Sequence, residues 1–268
     1  MDWSRSYVMG VVNVTPDSFS DGGRFFRSDD AIVHGRGLRG AGADILDVGG
    51  ESTRPGAAAV SAEQQIERVL PVVRALAASC TVSIDTCKAK VAAAAIDAGA
   101  EIVNDVSGGR IDPGLFEVAA KTDVALILGH LRGRPENMQE FAAYKNVMQE
   151  VIAELSEQVE VAVRAGVPRE KILVDPGLGF AKNAAHNCEI LARLGELRSL
   201  GCAVVIGASR KTFLGQLTGR ASSDREVATA AANVAAILAG ANIARVHDVA
   251  GQLDAVRVAD AIADGVMP

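Results

Sequence analysis

The feature that most constrains this chain is an alternation. Short apolar runs cover residues 8–13, 44–48, 82–85, 101–104, 124–128, 172–175, 203–207 and 243–247. Their apolar residues are nearly continuous, the pattern of parallel strands buried on both faces. Segments with helical periodicity fill the intervals, at 29–41, 62–78, 88–98, 113–120, 146–165, 185–194, 224–239 and 252–263. Gly42, Gly99, Gly166, Gly240 and Gly265 each stand just past one of these segments, where a left-handed residue closes a helix. Ser61, followed by Gln64 three residues on, has the form of a capping box. No linker or low-complexity stretch breaks the 268 residues. The pattern predicts an α/β fold: a (β/α)8 TIM barrel, one domain over residues 1–268, with its site at the C-terminal ends of the strands. An open doubly wound sheet is the alternative. Against it stand the number of repeats and the lack of G-x-G-x-x-G after the first strand.

A barrel carries its chemistry where its strands end. The residues there are Asn13; Asp47 with Glu51; Asp85; Asn104 with Asp105; His130; Asp175; Ser209 with Arg210 and Lys211; and Arg245 with His247. One or two polar strand ends would be ordinary helix caps. A polar group at every end is expected to mark one shared mouth.

Asp85, Asn104 and Asp175 supply two carboxylates and an amide. Such a set reads the edge of a heterocycle, since a 2-amino-4-oxo ring presents adjacent N–H donors to one carboxylate. The alternative for Asp85, just before Thr86 and Lys88, is a helix-capping network. G-A-S-R-K-T after the seventh strand puts a hydroxyl and two cations where barrels often hold phosphate. Arg245 and His247, at i and i+2, add to that cluster. For Arg210 the alternative is an ion pair with a surface carboxylate. Asn13 offers a carbonyl oxygen to a hard cation such as Mg2+, which takes few protein ligands when phosphates supply others.

Two connections are longer and richer in functional groups than a turn requires. Residues 13–23 read N-V-T-P-D-S-F-S-D-G-G, and 49–57 read G-G-E-S-T-R-P-G-A. A solvated surface loop is the competing reading of each.

The formal net charge of −6 argues against a nucleic-acid or anionic-membrane surface, though not against a small anion that meets only the local field. M-D-W-S-R-S-Y lacks the apolar core of a signal peptide, and no run of about 18 apolar residues suggests a membrane span. Cys80, Cys87, Cys188 and Cys202 show no C-x-x-C spacing, so reduced thiols in a cytoplasmic protein are expected. Without H-E-x-x-H, zinc hydrolase chemistry lacks its ligands. His34, in mid-helix, and His186, at a helix start, are expected at the surface.

V-M-G-V-V-N-V-T-P-D-S-F-S-D-G-G, A-D-I-L-D-V-G-G-E-S-T-R-P-G, S-I-D-T, I-V-N-D-V-S-G, L-V-D-P-G-L-G-F, G-A-S-R-K and R-V-H-D-V resemble, in order and over nearly the whole chain, the signatures of the dihydropteroate synthases. The resemblance implies a transferase of folate biosynthesis. It would join 6-hydroxymethyl-7,8-dihydropterin diphosphate to 4-aminobenzoate, release pyrophosphate and use Mg2+. It implies that Asp85, Asn104, Asp175 and Lys211 hold the pterin, with Phe180 and Gly207 lining the site. It implies that Asn13 binds Mg2+ and that Arg245 and His247 hold the diphosphate. Phe19, Asp21, Thr53, Arg54 and Pro55 would surround the aminobenzoate, whose carboxylate would meet Thr212. Asp21, Lys211, Arg245 and His247 are expected to act in catalysis. Sulfonamides, as mimics of aminobenzoate, are plausible inhibitors.

Two positions depart from the family pattern. Gly129 stands where Met is frequent, and is expected to leave the pterin floor less filled. Thr212 stands where Ser is frequent, and keeps the hydroxyl. A pterin-dependent methyltransferase would share the barrel and the carboxylates but has no use for S-R-K and R-V-H as a diphosphate site. A non-catalytic pterin-binding paralogue should lose loop residues first, and both loops look intact.

The segment 227–239, V-A-T-A-A-A-N-V-A-A-I-L-A, has only Thr229 and Asn233 as polar residues. An outer barrel helix should have a wet face, and one apolar nearly all round is usually buried. A homodimer through this helix is expected, as the resemblance also implies.

Overall fold

The structure, a computed structural model, describes residues 2–15, 24–52 and 59–265, with the backbone alone for 24–27. Five of the expected site residues, Phe19, Asp21, Thr53, Arg54 and Pro55, lie outside the described residues.

The strands are β1 (Tyr7–Asn13), β2 (Ile45–Gly49), β3 (Thr81–Asp85), β4 (Ile102–Asp105), β5 (Ala125–Gly129), β6 (Ile172–Asp175), β7 (Ala203–Ile206) and β8 (Ile243–Val246). Each is parallel to the next, and β8 pairs with β1, so the barrel closes in sequence order. Outside it run α1 (Arg24–Gly40), α2 (Ala62–Ala77), α3 (Ala89–Asp97), α4 (Gly114–Lys121), α5 (Val147–Arg164), α6 (Ala184–Ala192), α7 (Thr212–Thr218), α8 (Glu226–Leu238) and α9 (Val249–Asp264). Most bounds fall within two residues of those read from the sequence. Two differences matter. α1 begins at Arg24, ahead of the expected start at 29. α7 occupies the connection after β7, where the sequence predicts only a loop.

Local chemistry explains the helix ends. Ser61 and Gln64 form the capping box at α2, with both reciprocal bonds present. Asn146, Asn183 and Asp248 cap α5, α6 and α9 through their side-chain oxygens. The five predicted glycine stops all have positive φ. His186 completes the capping box of α6 and is half-buried, while His34 is exposed.

Two apolar layers make the core. Between strands and helices lies the larger one, which includes Val12, Val48, Ile84 and Leu128 on the strands and Leu76, Leu155 and Ile237 on the helices. Inside the barrel, Met9, Ile45, Ile102, Ile127, Leu173, Val205 and Ile243 form a plug, none more than 2% exposed. Side chains alternate along a strand, so the next inward position is two residues on. From β2 to β8 those positions are Asp47, Asp85, Asn104, Gly129, Asp175, Gly207 and Arg245, with Ser83 in the plug layer of β3. The plug closes the barrel beneath a polar layer, and that layer is the floor of the mouth.

α8 is turned unlike an ordinary outer helix. Its polar residues Thr229 and Asn233 are fully buried, and Asn233 Nδ2 donates to Gln252 Oε1 on α9 at 3.0 Å. The outward face, Val227, Ala231, Ala235 and Leu238, is apolar, with Val227 85% exposed. On α9, which packs along α8, Val258 and Ile262 are exposed as well. No described helix is long and apolar enough to cross a membrane, and the four cysteines are free.

Candidate active site

Six expected residues line one cleft at the mouth: Asn104, Asp175, Phe180, Gly207, Lys211 and Arg245. Val106, Gly129, Gly177 and Leu178 complete it. Arg245 organises the floor. Its Nε donates to Asp47 Oδ2 at 2.6 Å and its Nη2 to Asp85 Oδ2 at 2.7 Å. Asn104 Nδ2 also donates to Asp47 Oδ2, at 3.0 Å. A guanidinium has five N–H donors, so three have no partner among the described residues and can serve a ligand. Asp85 therefore reaches across the barrel and is not a helix cap. The first N–H of α3, on Ala89, is taken by Asp112 Oδ2 at 2.8 Å, while the Thr86 hydroxyl accepts from Lys88 N at 3.2 Å in the turn before the helix.

Burial pushes the Asp85 carboxyl up to about 7, helped by the charges of Asp47 and Asp105 and opposed by Arg245. Burial also raises Asp175, while the Gly177 N–H, 2.7 Å from Oδ1, and Lys211 pull it down. Lys211 shows the opposite shift. Desolvation lowers it to about 8, against the pull of Asp175. Its Nζ lies 4.1 Å from the centre of the Phe180 ring, a cation–π contact. Burial works against the Arg245 charge, but Asp47 and Asp85 more than offset it.

Asn13, Thr212 and His247 lie at neighbouring strand ends, outside the lining of this cleft. Asn13 ends β1, and its carboxamide makes no hydrogen bond among the described residues. Thr212 is exposed and opens α7 beside Lys211. His247 Nδ1 lies 3.0 Å from Ser209 Oγ, which also accepts the His247 backbone N–H at 3.2 Å. Among the described residues, no group of His, Cys, Asp and Glu could by itself hold a metal ion.

Four strand-end residues do not join the mouth, and the strand period explains two of them. Asp105 follows inward-facing Asn104, so it points outward and accepts from Ser107 N, Ser107 Oγ and Gly109 N. His130 follows Gly129 and lies buried behind the mouth, between Lys182 and Glu154. Glu51 accepts from Val60 N, Gln65 and Lys88 and ties the entry to α2. Arg210 adopts φ 58 and pairs with Glu226 of α8.

Gly129 corrects another expectation. A Cβ there would meet the Cα of Val106 at 2.6 Å and its carbonyl oxygen at 2.7 Å. The backbone at Val106 fills the space that a side chain would take, so the floor is closed. Asp47 is the residue that sequence reasoning placed among the strand ends but not among the site residues. Counting two residues on from the apolar plug would have found it.

A closed parallel barrel with two buried carboxylates, an amide and a lysine over an aromatic ring is built to grip a flat polar heterocycle. A family model described as "Pterin binding enzyme" matches residues 9–247, which sets the class as that of a pterin-binding barrel enzyme. The chain is 45% identical to the dihydropteroate synthase of Escherichia coli (strain K12), over 97% of this chain and 93% of that protein. It is 48% identical to the dihydropteroate synthase of Mycobacterium leprae (strain TN), over 95% of this chain and 92% of that one. Among solved structures, Yersinia pestis dihydropteroate synthase with a sulfonamide drug complex superposes with a TM-score of 0.92 at 42% identity, covering 98% of this chain and 96% of that one. The Xanthomonas albilineans enzyme with 4-aminobenzoic acid superposes with a TM-score of 0.91 at 43% identity, covering 97% and 94%. The chain belongs to the dihydropteroate synthase family.

Proposed function

We propose that this protein joins 6-hydroxymethyl-7,8-dihydropterin diphosphate to 4-aminobenzoate, giving 7,8-dihydropteroate and pyrophosphate. The observation that carries this reading is the polar layer above the plug, where Asp85, Asn104, Asp175 and Arg245 stand around Lys211. Asp175 accepts the pterin N–H edge, and Asn104 supplies an amide donor and acceptor beside it. Lys211 and Phe180 face the ring, and Gly207 lets it approach the strand.

The C–O bond to the diphosphate breaks with its electron pair leaving on pyrophosphate, and the pterin ring stabilises the resulting methylene cation. The aniline nitrogen of aminobenzoate then forms the new C–N bond and gives its proton to water. Arg245 offers its remaining N–H donors to the departing anion, and His247, oriented by Ser209, stands beside it. Asp21 is assigned to the same step and lies outside the described residues. An amide at Asn13 that has no partner among the described residues fits Mg2+, which keeps waters and takes phosphate oxygens. When bound, Mg2+ would neutralise diphosphate charge as it leaves. Phe19, Thr53, Arg54, Pro55 and Thr212 are assigned to the aminobenzoate.

The apolar outward face of α8, with Val258 and Ile262 also exposed on the neighbouring α9, supports a homodimer, because exposed apolar surface of this kind marks an interface. Pyrophosphate release, measured with and without 4-aminobenzoate and Mg2+, tests the reading. Release that requires both, abolished in Lys211→Ala and Asp175→Asn, is expected. Tight pterin binding without release would favour the non-catalytic paralogue.

A further inference from the structure

Behind the pterin side of the mouth runs a buried ionic chain that the reaction described above does not use. Lys182, two residues after Phe180, is only 3% exposed. Its Nζ donates to the Phe180 carbonyl at 3.0 Å and lies 2.8 Å from His130 Nδ1. His130 Nε2 lies 3.2 Å from Glu154 of α5, which Arg132 and Arg110 hold from the other side. Burial and the Lys182 charge lower His130 to about 4, so the neutral ring accepts from the lysine and donates to Glu154. Burial lowers Lys182 to about 7. Both protonation states of the amine keep at least two N–H donors, the number its two partners take.

This chain reaches the site through the backbone. His130 N–H donates to the Asp175 carbonyl at 2.9 Å. The turn from Gly177 to Phe180 sits on the His130 carbonyl so closely that, at φ 68, a Cβ on Gly177 would run into that oxygen. The same turn closes through Phe180 N to Gly177 O at 3.1 Å, and its Gly177 N–H orients Asp175. Between Phe180 and Lys182, Ala181 is fully buried at φ 50. A non-glycine residue keeps that left-handed conformation only where its surroundings over-determine it. The two Lys182 hydrogen bonds supply such a constraint, one to the turn itself and one to His130, the residue that follows β5.

We infer that Lys182 is a positioning residue for the reaction: its amine, held between His130 and the Phe180 carbonyl, fixes the turn that presents Phe180 and the Asp175 carboxylate to the pterin. The inference rests on the synthase reading. A purely structural lysine is the rival account, and the two differ in what an apolar replacement does. A structural lysine would weaken both substrates alike, whereas a positioning lysine costs pterin binding selectively, over and above the stability lost when His130 Nδ1 and the Phe180 carbonyl lose their buried donor. Lys182→Met keeps the length of the side chain and removes both donors.

The test compares wild type, Lys182→Met and Lys182→Gln by steady-state kinetics, thermal unfolding and calorimetric binding of 6-hydroxymethylpterin. In Lys182→Met, the KM for the pterin diphosphate and the Kd for 6-hydroxymethylpterin should rise about tenfold, with the KM for 4-aminobenzoate within about twofold. The melting temperature should fall, because two buried acceptors lose their donor, and the loss of pterin affinity should exceed any loss shared with 4-aminobenzoate. Lys182→Gln, with two N–H donors on a shorter stem, should recover part of the pterin affinity. Wild-type pterin constants in Lys182→Met would overturn the inference, as would equal losses for both substrates. Wild-type protein that binds 6-hydroxymethylpterin but releases no pyrophosphate would overturn the synthase reading instead, and the Kd comparison would still decide the role of Lys182.

Discussion

Arg245 on β8 and Asp47 on β2 meet at 2.6 Å, Nε to Oδ2, although 198 residues separate them in sequence. Asp47 is fully buried and also takes the Asn104 amide. Removing one partner of a buried ion pair costs about 3–5 kcal/mol, because the other charge is left behind. Asp47→Ala should therefore lower the melting temperature by roughly 6–12 °C at the low end of that range. It should also cut kcat/KM for the pterin diphosphate, since Arg245 and Asn104 lose their anchor. Thermal unfolding and initial rates check both, and wild-type values in each would remove Asp47 from the site.

The two shifted groups at the mouth predict a narrow pH optimum. Asp85, raised by burial to about 7, must be ionised to hold Arg245, so activity falls as pH drops through that value. Lys211, lowered by burial to about 8, must be protonated to face Asp175 and the ligand, so activity falls as pH rises through that value. The profile of kcat/KM reports the free enzyme and should be bell-shaped. Lys211→Arg should move the alkaline limb upward, because a guanidinium stays charged. An alkaline limb unchanged in that variant would assign it to another group.

Gly129 should tolerate no side chain without movement of its neighbour. Gly129→Ala places a methyl 2.6 Å from the Val106 Cα, and backbone there yields only by shifting the turn that follows β4. Overpacking of this kind costs about 1–3 kcal/mol. Since Val106 lines the cleft, the KM for the pterin diphosphate should rise together with the loss of stability. An alanine variant with both properties intact would show that the turn moves freely.

The outward face of α8 makes a prediction about assembly. Light scattering of the wild type at micromolar concentration should give a dimer mass. Val227→Glu with Leu238→Glu puts charge on two exposed apolar positions that touch neither the plug nor the mouth. The double variant should be monomeric and folded by circular dichroism. A monomeric wild type would discard the dimer.

Periodicity made the architecture legible. Continuous apolar runs, helical segments and glycine stops each report on a few adjacent residues, and such local signals set the strands, most helix bounds and the barrel's closing order. Pairing the site residues was harder. Asp85 read as a ligand carboxylate with a helix cap as the alternative until Arg245 was seen across the barrel, with Asp112 taking the first N–H of α3. α7 was hidden because Thr212–Thr218 is short and follows a loop whose polar residues dominate the pattern.

The sequence by itself determined that strands and helices alternate, that polar groups cluster where the strands end, and to which family those motifs point. These follow from order along the chain, which a linear code carries directly. Only the tertiary structure decided which strand-end groups share the mouth. Asp47 and Arg245 meet because closure brings β2 and β8 to either side of β1. Asp105 and His130 turn away because a one-residue step on a strand reverses the side chain. The role of Gly129 was settled there too, since only the folded chain lays the Val106 backbone against β5. Such contacts depend on distance across the barrel, and separation in sequence does not encode it.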